Sequence, residues 1–182
     1  MTNPYEVRQV DEAPPAIKGQ FIERVSERLR QEGYKQREVN TGRDTTLWWK
    51  RFSWLPVPMV CYFFVKQIGT QEVSTDELID WDKRSLDYSN SSELLPAWAR
   101  WQVPMTVTAV VSETGFSDDV IKLATGRKLA SQSGQPHALI LVDEANRSVH
   151  MLKRPGQSIA FKNAHNTACR AFIWNDQSCT NI

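Results

Sequence analysis

Apolar residues recur four apart at Ile17, Phe21, Val25 and Leu29, with Ile22 widening the stripe and Glu23, Arg24, Glu27, Arg28 and Arg30 on the other face. This helical period predicts an amphipathic helix that Pro14-Pro15 opens and Gly33 stops. The period then changes. Tyr34 to Val39 reads as a short strand, Asn40-Thr41-Gly42 as a turn, and Thr45 to Trp54 alternates, with Leu47 and Trp49 on one side and Thr46, Trp48 and Lys50 on the other. Leu55-Pro56-Val57-Pro58 forces an extended or turning connection, since each proline biases the residue before it away from helix. Met59 to Val65 has no polar interruption and predicts a strand buried on both faces.

Ser74 with Glu77 three residues on is a capping-box pattern, and a helix from about Thr75 to Tyr88 is expected behind it, with Leu78, Ile79, Trp81 and Leu86 as its apolar members. Ser89-Asn90-Ser91-Ser92 breaks that helix. Leu94 to Trp101 has no clear period and presents Trp98 and Trp101. Val103 to Val111 predicts a strand, Ser117-Asp118-Asp119 caps a short helix ended by Thr125-Gly126, and His137 to Val142 pairs as a hairpin with Ser148 to Lys153. Ala164 to Trp174 reads equally as helix or strand. The order helix, three strands, helix, strand, helix, hairpin defines an α/β (or α+β) domain, a mixed sheet of about six strands with helices packed on it. Residues 1–13 are expected to form a flexible arm and residues 14–182 one globular domain.

An apolar share of 41% and a charged share of 24% fit a folded chain, and a net charge of +1 gives no global pull toward polyanions. The charge is unevenly spread. Residues 18–66 hold ten Lys/Arg against five Asp/Glu, residues 67–93 two against seven, and residues 120–174 eight against two. Local basic and acidic patches follow from that pattern, or else a helix with a solvated acidic face. Cys61, Cys169 and Cys179 make an odd count without framework spacing, and the N-terminal stretch lacks an apolar core, so a cytoplasmic location is expected rather than secretion. Leu55 to Val65 is about half of the ~20 residues a membrane-spanning helix needs, and it contains prolines.

The order helix, three strands, helix, strand over Ile17 to Val111 resembles the core of the restriction-endonuclease-like superfamily. That resemblance implies an acid on the second strand and an acid-x-Lys pair on the third, together binding a divalent metal. The second strand offers Asp44 at its start. The third offers Phe64-Val65-Lys66, so Phe64 stands where the acid belongs and the hard oxygen ligand is missing. A nuclease of this type is expected to have lost its site.

Other candidate chemistry has simpler explanations. His165 and Cys169 share a helix face if that segment is helical, but with Cys179 they fall short of the four ligands of a structural zinc site, and no residue orients His165 as a base for a Cys nucleophile. His150 and His137 read as strand residues, Asp118-Asp119 as a helix start, Asp143-Glu144 as a turn. Gly126-Arg127-Lys128 is too short for a phosphate loop. No cofactor and no metal site are expected.

The remaining unusual feature is Trp48, Trp49, Lys50, Arg51 and Trp54, with Trp98 and Trp101 further on. Tryptophan with arginine is the composition of binding hot spots, whereas plain alternation would bury half of these residues. The expectation is a non-catalytic binding or assembly component whose partner is a protein. The alternatives are a metal-dependent hydrolase or degenerate restriction-endonuclease-like protein, and a nucleic-acid-binding module that stacks bases on these rings. A peripheral membrane surface is a further candidate partner, and the oligomeric state is open.

Overall fold

A computed structural model of the chain describes residues 20–37, 44–54, 57–91, 103–126, 137–151 and 159–172. The first helix, α1, is described over Gln20–Gln31. Phe21, Val25 and Leu29, its predicted stripe, are all buried. Its end follows from Gly33, whose φ of 84° is a left-handed conformation that costs glycine little. The Gly33 amide donates to the Arg30 carbonyl and the Tyr34 amide to the Leu29 carbonyl, which is a Schellman closure. It turns Tyr34 into the core and starts β1 at once.

The strands are β1 (Lys35–Arg37), β2 (Thr45–Trp54), β3 (Val57–Gly69), β4 (Val103–Ser112), β5 (His137–Asp143) and β6 (Ser148–Met151). They form one mixed sheet in sequential order β1 to β6. β1, β2 and β3 are antiparallel neighbours, β3, β4 and β5 run parallel, and β6 returns antiparallel. The two parallel steps need crossovers, which helices α2 (Thr75–Ser91) and α3 (Asp118–Thr125) supply. The C-terminal segment that fitted either state is a helix, α4 (Ile159–Phe172). The expected α/β class and six-stranded mixed sheet are therefore observed in a single domain. The proposed arm at residues 1–13 lies outside the described residues, as do Pro14 and Pro15.

Strict alternation sorts the sheet into two faces. Trp48, Cys61, Phe63, Val65, Met105, Val107 and Ile140 meet α1 and α4 in the larger core. On the other face, Val110, Leu139 and Leu141 meet Leu78 of α2 with Val120 and Ala124 of α3, while Leu47, Val60, Tyr62 and Phe64 gather beside Tyr88. Full burial of a side chain such as Phe63 or Phe172 is worth about 1.5–3 kcal/mol, so both helical layers are bound to the sheet by several such terms.

Helix α2 departs from expectation. Its capping box is present: the Ser74 amide donates to Glu77 Oε2 (2.9 Å) and the Glu77 amide to Ser74 Oγ (3.2 Å). Its buried stripe, however, is Leu78, Asp82, Ser85 and Ser89, while Ile79 is exposed. The polar stripe faces a polar patch of the sheet. His137 Nε2 donates to Asp82 Oδ1 at 2.6 Å, and both residues are about 3% exposed. Ser85 and Ser89 satisfy themselves by donating to carbonyls one turn back, at Trp81 and Ser85. A buried carboxylate has to be paired, so Asp82 fixes the rotation of α2 over β5.

Replacing Asp82 by Leu strands His137 in the core and is expected to lower stability by about 3–5 kcal/mol, whereas the double change Asp82→Leu/His137→Phe recovers most of it. Urea unfolding of the three proteins checks this. A loss below about 1 kcal/mol in the single variant would mean that the pair does not hold α2 to β5.

Candidate functional site

The β2–β3 hairpin is longer than its neighbours. β1 covers β2 only from Leu47 to Trp49, and β4 first meets β3 at Met59. Beyond those points Ser53 pairs with Pro58 and Trp54 with Val57, and among the described residues neither rung has a third strand beside it. The outer edge of β2 from Lys50 to Trp54, about 15 Å at ~3.3 Å per residue, likewise has no strand partner among the described residues. Pro58 suits this place: having no amide hydrogen, it belongs where a ladder is one-sided.

At the root of the hairpin the candidate residues divide by face. Trp48 is 1% exposed, packed in the larger core with the Arg30 guanidinium 5.3 Å from its ring. Lys50 lies on the same side. Its Nζ donates to the Glu32 carbonyl and stands 5.5 Å from the Tyr34 ring centre, so it places a cation at the C-terminus of α1. Both pack toward α1: Trp48 is buried there, while Lys50 is half-buried and engaged with the helix end. Trp49 and Arg51 lie on the opposite side. Trp49 is half-buried against the Leu47–Tyr62 cluster, and the exposed Arg51 holds its guanidinium 5.6 Å from the Trp49 ring. β2 brings Trp54 to the end of the same hairpin. Trp98 and Trp101 lie outside the described residues, so the structure does not join them to this surface.

The other candidates are structural or dispersed. Phe64 is 2% exposed, its ring edge-on to Tyr88 at 5.6 Å, so the position that a related nuclease would give to an acid is core. Asp44 lies elsewhere, at the mouth of a cavity of about 420 Å³ beyond the C-terminal ends of β3 and β4, lined also by Gln67, Thr70, Glu113 and Glu144. Among the described residues no three His, Cys, Asp or Glu are grouped so as to hold a metal ion. Cys169 is buried with Sγ 3.8 Å from Met151 Sδ, and Cys179 is outside the described residues. His150 is bonded to Ser148 Oγ at 3.1 Å. Asp143 accepts from the Asn146 amide (2.9 Å) and packs so closely on Gly115 that an added Cβ there would lie 2.8 Å from its Oδ2.

Two features escaped sequence reasoning. One is the Asp82–His137 layer; the signal was Asp82, Ser85 and Ser89 continuing the helical spacing of Leu78. The other is a buried hydrogen-bonded group under α1. The Tyr34 hydroxyl is bonded to Cys61 and Thr167, and burial pushes it well above its ordinary range. Burial also raises the Cys61 thiol, to about 12, although Tyr34 and Lys50 oppose that. A thiol so buried is a poor nucleophile.

No family model, curated protein or solved structure matches the chain. Its function has to be read from its own side chains.

The buried pair has a consequence in alkali. Cys61 and Tyr34 keep protons that the unfolded chain releases, so their contribution is full below the ordinary thiol range near 9.0 and is lost as pH climbs toward about 12. The urea midpoint should therefore fall between about pH 8 and pH 10.5, and fall less in Cys61→Val. Equal pH dependence in the two proteins would contradict the assignment to Cys61.

Proposed function

We propose that this protein is a non-catalytic binding or assembly component that engages a protein partner through the free end of the β2–β3 hairpin. The observation that carries this reading is the overhang: the Ser53–Pro58 and Trp54–Val57 rungs have no third strand beside them among the described residues, and β2 offers a sheet edge there. An open edge presents backbone donors and acceptors to an added strand, and natural sheets leave such edges short or charged unless they are used. The sequence there, Arg51-Phe52-Ser53-Trp54-Leu55-Pro56-Val57, is rich in the residue types that dominate binding energy. Trp49 and Arg51 form the root of the surface, and Trp54 its end.

A cytoplasmic setting suits this reading, because Cys61 and Cys169 are buried free thiols. No helix among the described residues is long and apolar enough to cross a membrane. The hydrolase alternative has only the cavity lined by Asp44, Glu113 and Glu144 in its favour.

The test is affinity purification with quantitative mass spectrometry from the native cell, comparing wild type with Trp54→Ser and Arg51→Ala/Trp54→Ser. Their melting temperatures should stay close to wild type, since beyond Trp49 β2 pairs only with β3 and no strand lies on its outer edge among the described residues. The specific partner should drop at least about ten-fold in the double variant, equivalent to about 1.4 kcal/mol of binding energy. Undiminished recovery of every wild-type partner by a folded double variant would overturn the proposal.

A further inference from the structure

The sheet edge formed by β1 and β2 carries charge of one sign. All three residues of β1 are exposed, and Lys35 and Arg37 alternate along it, so they share a face of the sheet. The register sets Lys35 opposite Trp49 and Arg37 opposite Leu47. Arg51, two residues beyond Trp49 on β2, is on that same face, exposed, with its guanidinium 5.6 Å from the Trp49 ring centre. Lys35 and Arg51 are therefore diagonal neighbours across the β1–β2 pair, about 7–8 Å apart. Among the described residues none of these three cations has an ion pair, whereas Arg84, Lys122 and Arg170 each meet an acid.

The second observation is where β1 begins. Its first residue, Lys35, stands opposite Trp49, and the row beside β2 continues past Arg51 with no strand in it among the described residues. A strand entering that row would set a side chain directly across from Arg51 and the next one on that face toward Lys35. Opposite charges facing each other across two strands stabilise the pair, and like charges destabilise it. This selects among occupants. A second copy of the chain would bring the same cations to both sides of the seam, which repulsion opposes. A nucleic acid needs an open ring on which to stack a base, and Trp49 is half-buried with Arg51 already against it. An acidic polypeptide strand meets neither obstacle.

We infer that the partner presents an acidic extended segment, which joins β2 as an added strand beyond the start of β1 and sets carboxylates against Arg51 and Lys35. Arg37, further along the same face, adds longer-range attraction. The inference rests on the hairpin reading above and narrows it to one chemical class of partner. Backbone pairing at the edge is open to any strand, and the three cations make the choice among strands.

The probes are short synthetic peptides of alternating Glu and Val, Gln and Val, or Lys and Val, with a thymidine oligonucleotide as the nucleic-acid comparison. Each is titrated into the full chain while amide chemical shifts are followed by NMR. The Glu peptide should shift the amides of residues 50–54 and Lys35, bind about five-fold or more tightly than the Gln peptide, and weaken as salt is raised. In Lys35→Glu/Arg51→Glu the order should reverse, with the Lys peptide binding more tightly than the Glu peptide. The comparison of Glu with Gln peptides uses the wild-type chain, so it decides the matter even if the double variant does not fold. Equal affinity of those two peptides at residues 50–54 would overturn the acidic class and leave strand addition standing. Glu-peptide shifts that are absent or fall elsewhere would overturn this inference, while the purification from the native cell judges the protein-partner reading separately. Tighter binding of the oligonucleotide at the same residues would overturn both.

Discussion

Strand β3 carries apolar side chains on both faces from Met59 to Val65, all of them buried, so the chain has to supply a helical layer on each side of it. The remaining architecture follows from that need. α1 and α4 close over Cys61, Phe63 and Val65, and α2 closes over Tyr62 and Phe64 through Tyr88. Because the step from β3 to β4 is parallel, the connection must be a crossover, and α2 is both that connection and the second layer. A single strand thus dictates the three-layer arrangement. Its length has a second effect: among the described residues β4 first meets β3 at Met59, and Val57 and Pro58 pair only with the end of β2.

Most of the conspicuous polar and charged residues are consumed in holding the layers in place. Lys50 caps α1, Arg28 Nη1 donates to the Ala171 carbonyl of α4, and Arg170 of α4 meets Glu32 at 3.2 Å. These contacts tie the end of α1 to both β2 and α4. On the other face Asp82 and His137 do the same for α2 and β5. The charged residues left over therefore carry more information than the total charge does. Arg51 above Trp49 and Lys66 above Trp81 are cations held on aromatic rings at two separate surfaces, where they can meet something that is not part of the fold.

The elements that sequence made legible are those in which one physical rule acted alone. The α1 stripe is set by burial, its end by the conformational freedom of Gly33, and the start of α2 by the reciprocal bonds of Ser74 and Glu77. The buried face of α2 was hidden because hydrophobicity marks apolar stripes, and this one becomes polar after Leu78. Its identity depends on His137, which lies far along the chain and meets Asp82 only once β5 is in the sheet. The tryptophan strand shows the same limit. Alternation put Trp48 and Trp49 on opposite faces, but only the docking of α1 decides that Trp48 is core and Trp49 half-exposed. Nor could the overhang be read from β2 or β3, since it depends on where β1 and β4 stop.

The central claim is that the distal hairpin, rather than any cleft, is the contact surface for a protein partner. Site-specific photocrosslinking in the native cell tests it most directly, with the photoreactive residue at position 54 and, as reference, at the exposed Lys83 of α2. Position 54 should yield a discrete adduct with one other protein, and position 83 should not. Identical adduct patterns from the two positions, or none from position 54 in protein shown to be folded, would contradict the account.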